Sequence, residues 1–199
     1  MCFNICKLYY ALYTLPVIIL LKIKGVTVGK SCLFGGFLRV YKCKDSVIKV
    51  GINCRFMSKT RGNPIGINHR CMLTTHSPKS TLTIGDNCGF SGTSIWCFDK
   101  ITIGNNVRIG ANVLIMDGDA HQNDPRAGNN APIEIQENVW IGANVMVLKG
   151  VTIGRNSLIG AGSVVVKDIP ANTIAAGNPC KPIRQLSEDT VRKLEEMSK

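Results

Sequence analysis

Aliphatic residues recur every six positions over the second half of the chain. Ile135, Ile141, Val147, Ile153, Ile159 and Val165 keep that interval without a slip. Three residues after each stand Asn138, Asn144, Gly150, Asn156, Gly162 and Asp168. Asn and Gly tolerate a left-handed backbone, and Asp does so less readily, so these positions predict corners. Small Gly142, Gly154 and Gly160 directly follow three of the aliphatics. An α-helix needs its apolar stripe every three or four residues, and a lone strand alternates briefly and then turns. A period of six instead predicts short strands, each burying one aliphatic and joined at left-handed corners: a hexapeptide β-solenoid.

The pattern extends upstream with interruptions. Ile103, Ile109 and Ile115, with Asn106, Asn112 and Gly118, make one full coil. Ile84, with Gly85 and Asn87, opens another that continues through Phe90 and Trp96. The step from Trp96 to Ile103 is seven, which predicts one inserted residue near Phe98–Lys100. Val28, Phe34 and Val40, then Val50 and Phe56, form fainter hexads. From Met57 to Leu82 the register is lost, predicting bulged coils or loops. Ile115 and Ile135 lie twenty residues apart where six suffice. About fourteen residues are therefore extruded within MDGDAHQNDPRAGNNAPIE, a polar stretch rich in Gly, Asn and Pro. Insertions in solenoids project from one face and commonly carry function.

The two ends read differently. In residues 1–23, MCFNICKLYYALYTLPVIILLKI, the apolar part from Leu8 to Leu21 is short for a bilayer and Pro16 interrupts it. No small-residue cleavage site follows, which argues against a signal peptide. A helix or hairpin capping the open end of the solenoid is expected; the alternative is interfacial membrane contact helped by Lys7, Lys22 and Lys24. At the other end three prolines break KDIPANTIAAGNPCKPIR, and Ser187 reads as the N-cap of a short helix to about Ser198. The expected division is a cap or membrane-interface segment over 1–25, the solenoid over 26–170 with its extruded loop 116–134, and a C-terminal segment and helix over 171–199.

Composition narrows this picture. The 199 residues suit one domain, and 20 Gly with 45% hydrophobic residues suit a narrow aliphatic core. A net charge of +11 favours anionic partners. The basic residues are scattered, aromatics are 6% and no recognition motif is present, so nucleic acid is not expected as a partner. The cysteines number nine, without CxxC or Cys/His ligand spacing, which indicates neither a disulfide framework nor a zinc site. Reduced thiols and a cytoplasmic location follow, at the inner membrane face if residues 1–24 do touch lipid.

The candidate chemistry lies in the extruded stretch. His121 is preceded by Asp119 and Asp117. In an extended segment these three share one face, which sets a carboxylate beside the imidazole to fix its tautomer. A solvated loop histidine is the plain alternative. His69 and His76 carry no recognisable partner and read as surface or packing residues.

From Ile84 to Arg184 the chain resembles the hexapeptide-repeat acyltransferases, and MDGDAHQND with Trp140-Ile141-Gly142 resembles their polysaccharide and sugar O-acetyltransferase branch. The resemblance implies an all-β, left-handed parallel β-helix in which three hexads close one triangular coil. It also implies acetyl-CoA as co-substrate, no metal, and a homotrimer with active sites between subunits. By that likeness His121 is the general base that removes a proton from an acceptor hydroxyl of a sugar or polysaccharide precursor. Ala143 and Ala161, with Trp140, Gly142 and Gly160 beside them, line a pantetheine groove, and Lys167 and Arg184 meet phosphates. Val166 departs from the Thr often found in the family. Trp96 and Asp99 shape the acceptor side, although the usual acceptor Asn has no counterpart between Gly92 and Lys100. Three other readings stay open: N-acetylation of an amino sugar, a γ-type carbonic anhydrase needing three His ligands, and a non-catalytic binding solenoid.

Overall fold

Corners set by Asn and Gly organise the backbone. The computed structural model describes residues 2–60 and 65–196, with the backbone alone for 2–9 and 11. The dihedral φ lies between 57° and 76° at Asn138, Asn144, Gly150, Asn156 and Gly162. Asp168 does not join them. Its carboxylate accepts the Thr152 N–H at 2.7 Å, and the regular repeat ends there.

Each corner sends the chain into a new short strand, and successive strands join three sheets in rotation. The first sheet stacks Thr27–Val28, Val47–Val50, Thr81–Ile84, Lys100–Ile103, Ile133–Ile135 and Thr152–Ile153. The second stacks Leu33–Gly35, Arg55–Met57, Gly89–Ser91, Arg108–Ala111, Trp140–Ile141, Leu158–Ile159, Thr173–Ala176 and Lys181–Gln185. The third stacks Arg39–Lys42, Met72–Thr75, Ser94–Cys97, Leu114–Met116, Met146–Leu148 and Val164–Val165. Neighbours pair in parallel, and among the described residues only the last pair of the second sheet is antiparallel. The molecule is thus mostly β, with one helix at each end.

Parallel register places like residues above like. Ile84, Ile103, Ile135 and Ile153 form one interior column. Phe34, Phe56 and Phe90 form another, their rings stacked at 5.3 Å and 4.6 Å. The six aliphatics from Ile135 to Val165 are fully buried. Asn side chains at the corner between the first and second sheets bond from coil to coil, Asn53 to Asn87 at 2.8 Å and Asn156 to Asn172 at 2.8 Å. Such ladders satisfy the amides that a solenoid corner presents to its neighbours. Because Phe56 is fully buried between two rings, Phe56→Ala is expected to cost about 3–5 kcal/mol, read as a lower midpoint in urea unfolding.

Two expectations change. Ile95, not Trp96, takes the buried place, since Ile115 pairs with Ile95 and Met116 with Trp96. The corner after Phe90 is one residue short, so the indole faces outward from the third sheet. The interval from Met57 to Leu82 holds the strand Met72–Thr75 in register with Arg39–Lys42 and Ser94–Cys97. The period fails there because extra residues precede the strand.

The helix Cys2–Ile23 caps the first coil. Val17 and Leu21 are buried, and the Phe34 N–H donates to Thr14 Oγ1 at 3.1 Å. The C-terminal helix Glu188–Glu196 starts where Ser187 Oγ accepts the Thr190 N–H at 3.4 Å. Its expected end near Ser198 lies outside the described residues. Among the described residues no helix is long and apolar enough to cross a membrane.

Candidate functional site

The third sheet lays Met72–Thr75, Ser94–Cys97, Leu114–Met116 and Met146–Leu148 side by side. The residues that follow these strands gather at one corner: His76, Phe98, Asp117 and Lys149. The chain leaves the coil at this corner after Met116 and rejoins it at Ile133.

Asp117 is fully buried at the root of that excursion. Its carboxylate accepts the backbone N–H of Phe98 at 2.5 Å and of Asp99 at 2.9 Å. The Cys97 thiol also donates to it, at 3.7 Å. The returning limb closes on the same residue, where the Ala131 N–H meets the Asp117 carbonyl at 3.0 Å. Asp119 forms an ion pair with Lys149 at 2.6 Å. Gln122 ties the two limbs through the Asp119 carbonyl and Asn130 Oδ1, at 2.6 Å and 2.9 Å.

His121 is exposed, and its ring has no hydrogen-bond partner among the described residues. The carboxylate–imidazole contact expected from an extended 117–119–121 run is therefore not formed. The chain bends at 117–118. One carboxylate is committed to backbone amides and the other to a lysine.

His121 instead shares an open cleft of about 660 Å³ with His76, Ala120, Gln122, Asn123 and Asp124. His76 packs on Phe98 with ring centroids 4.6 Å apart and lies 6.1 Å from the Trp96 ring. Reading the sequence missed His76, because only the register of Thr75 beside Cys97 brings it to this corner. Trp96 is half-buried against Phe98 at 4.8 Å, and its indole nitrogen is buried without a partner among the described residues. Asp99 is exposed beside the same corner. On the cleft's outer lip, the Arg126 guanidinium holds the Asp124 carboxyl below the usual carboxylate range. His69 bonds Ser94 Oγ at 2.8 Å and also contacts Asn68, so the three histidines do not converge. Among the described residues no three of His, Cys, Asp and Glu come together as a metal site.

Burial, with the Asp117 carboxylate beside it, pushes the Cys97 thiol from 9.0 up to about 12. Below pH 9 both the folded and the unfolded thiol keep their proton, so the stabilisation is fully present. Between pH 9 and about 12 only the unfolded chain ionises, so folding weakens as pH rises through that window. Urea unfolding followed from pH 8 to 11 is expected to show this loss, and Cys97→Ala to reduce its slope without removing it, because the buried thiols of Cys54 and Cys71 are raised as well.

The residues expected at the acyl donor form two groups. Trp140, Leu158, Ile174 and Arg184 stand side by side across the second sheet, with Trp140 54% exposed. Gly142–Ala143 and Gly160–Ala161 follow at its next corner. A Cβ on Gly142 would sit 2.6 Å from the Ala161 nitrogen, so close stacking of coils requires glycine there. Val166 and Lys167 lie elsewhere, beyond Val164–Val165, at the corner shared with Lys149. Lys167 and Arg184 are exposed and have no ion-pair partner among the described residues.

Residues 132–167 match the family model of the bacterial transferase hexapeptide, described as six repeats. The chain carries a hexapeptide-transferase repeat. That repeat begins where the extruded segment ends and spans both corners expected at the acyl donor, while His121 and Arg184 fall outside it. A Schizosaccharomyces pombe protein provisionally named an acetyltransferase is 51% identical over 108 residues, covering 52% of this chain and 49% of its own. The galactoside O-acetyltransferase of Escherichia coli is 49% identical over 92 residues, covering 44% of this chain and 45% of its own. The chain spans about half the length of the curated relatives it matches. The N-acyltransferase AntD of Bacillus cereus, solved with dTDP and 3-hydroxybutyryl-CoA, superposes with a TM-score of 0.67 at 19% identity, covering 89% of this chain and 93% of that one. A hexapeptide-repeat acetyltransferase of Vibrio cholerae, solved with acetyl coenzyme A, gives 0.50 at 22% identity, covering 80% and 70%. At these identities the likeness to the solved structures is one of fold.

Proposed function

We propose that this chain is an acetyl-CoA-dependent O-acetyltransferase acting on a hydroxyl of a sugar or glycan, with His121 as general base. The observation that carries this is the free His121 imidazole, open to a cleft of about 660 Å³ where the repeat is interrupted. An imidazole with no partner among the described residues keeps a ring nitrogen for an acceptor hydroxyl. It takes the hydroxyl proton as that oxygen attacks the thioester carbonyl. The C–S bond then breaks, and the departing thiolate recovers a proton from the imidazolium. Asp117 fixes the root of the segment and Asp119 its flank through Lys149, so both act by positioning. His76, Trp96 and Asp99 border the acceptor side. Similarity to a galactoside O-acetyltransferase supports oxygen as the nucleophile.

The coil of residues 26–170 takes the left-handed parallel β-helix form, with 1–25 as its cap and 171–199 as its coenzyme A-contacting end. The donor edge fits acetyl-CoA. Gly142, Ala143, Gly160 and Ala161 offer no bulk against a pantetheine arm, and the space beside Gly162 is open to 4 Å. Lys167 and Arg184, with no ion-pair partner among the described residues, offer cations to phosphates. Trp140 lies along the same edge, and Val166, at the other corner beside Lys149, offers an aliphatic contact in place of a hydroxyl.

His121 and the Ala143–Ala161 edge stand at opposite ends of the third-sheet strands, so a site that holds both draws its halves from neighbouring copies. The outer face between them carries Trp96, Leu114, Met116, Met146 and Leu148, an apolar surface suited to packing three chains together. The test is thiol release from acetyl-CoA across free sugars, nucleotide sugars and lipid-linked glycans. Release with a hydroxyl acceptor is expected. Silence across the panel, with no coenzyme A binding, overturns the reading.

A further inference from the structure

The N-terminal helix buries only one side. Val17 and Leu21 sit in the core, and Thr14 bonds the Phe34 N–H. At 100° per residue the opposite side carries Leu12, Leu15, Pro16, Ile19 and Ile23 in one line. Leu12 is 69% exposed, Leu15 66%, Ile19 51% and Ile23 78%. A soluble helix usually gives that side to polar residues, and a contiguous apolar stripe marks a surface that another phase or molecule covers.

Charge identifies what covers it. Coil stacking brings cations that look scattered in the sequence to this end of the solenoid. Residues 22–59 hold nine of the 24 Lys and Arg but one of the 13 Asp and Glu. Lys22 follows Leu21 on the helix, Lys24 donates to the Val40 carbonyl at 3.1 Å, and Lys42 lies beside Gly25. A second copy brought end to end would set these cations against their equals, which like-charge repulsion opposes. An anionic bilayer surface answers both features, taking the aliphatic stripe into its interface and the lysines at its head groups. The helix cannot cross that bilayer while Val17 and Leu21 stay in the core.

We propose that the exposed stripe of the helix Cys2–Ile23, with the basic first coils around it, docks this protein on an anionic lipid bilayer, the helix lying in the plane of the interface. Acyl transfer plays no part in this proposal. Flotation of the full chain with phosphatidylcholine vesicles, with and without phosphatidylglycerol, tests it. The chain is expected to float with the anionic vesicles, to be released as salt rises, and to bind neutral vesicles weakly. The double variant L15E/I19E alters two exposed side chains, keeps the wild-type melting curve, and is expected to lower the bound fraction at least about tenfold. K22E is expected to weaken binding to the anionic vesicles alone. Wild-type chain that does not float with anionic vesicles overturns the proposal. So does undiminished binding of L15E/I19E, or an end-to-end dimer that L15E/I19E dissolves.

Discussion

His121→Ala is expected to lower acetyl transfer by about 10²–10⁴-fold, the range that a positioned general base contributes. The loss should fall on kcat, because the imidazole acts on the proton in flight rather than on ground-state binding. Coenzyme A binding should persist, since the small-residue edge and the exposed Arg184 lie apart from the cleft and Lys167 is untouched by the change. Stability should persist as well. The ring is exposed and bonds to nothing among the described residues, so its removal opens no hole and orphans no polar atom. A variant that melts like the wild type, binds coenzyme A and no longer transfers places the base at position 121. Transfer at the wild-type rate removes His121 from that role.

Asp117→Ala is expected to act through the fold. The carboxylate is fully buried and receives two backbone N–H groups, from Phe98 and Asp99. Truncation leaves the buried Phe98 donor and the part-buried Asp99 donor without an acceptor, at about 1–3 kcal/mol each with the second at the lower end. With the vacated space included, the total is about 3–5 kcal/mol, read as a lower urea midpoint. Asp117→Asn keeps one acceptor oxygen and the same shape, so it should lose less than half as much and retain most of its transfer. The opposite result, with Asp117→Asn as inactive as His121→Ala at unchanged stability, would assign Asp117 to orienting the imidazole. The structure favours positioning, because both carboxylate oxygens already point to the corner below.

Period and corner chemistry made most of the coil legible. A buried aliphatic every six residues leaves little freedom, because each strand has room for one inward side chain between corners. The six residues from Ile135 to Val165 are accordingly buried, and Asn and Gly take the left-handed corners. Where corner length changes, counting fails. One residue lost after Phe90 put Trp96 in place of Ile95, and extra residues before Met72 hid a strand in full register. Such shifts are fixed by which strand pairs with which, a contact between residues far apart in the chain.

The same division runs through the site. Sequence alone located the extruded segment and its histidine, because each interrupts a strict local repeat, and the family resemblance pointed to the small-residue edge. Tertiary structure decided the partners: it brought His76 into the cleft with His121, sent the Asp117 carboxylate to the amides of Phe98 and Asp99, and paired Asp119 with Lys149. Each of these contacts joins one coil to another. A repeat dictates how a coil turns, whereas contacts between coils depend on register, which residues added or lost between them can shift without disturbing the pattern within any one.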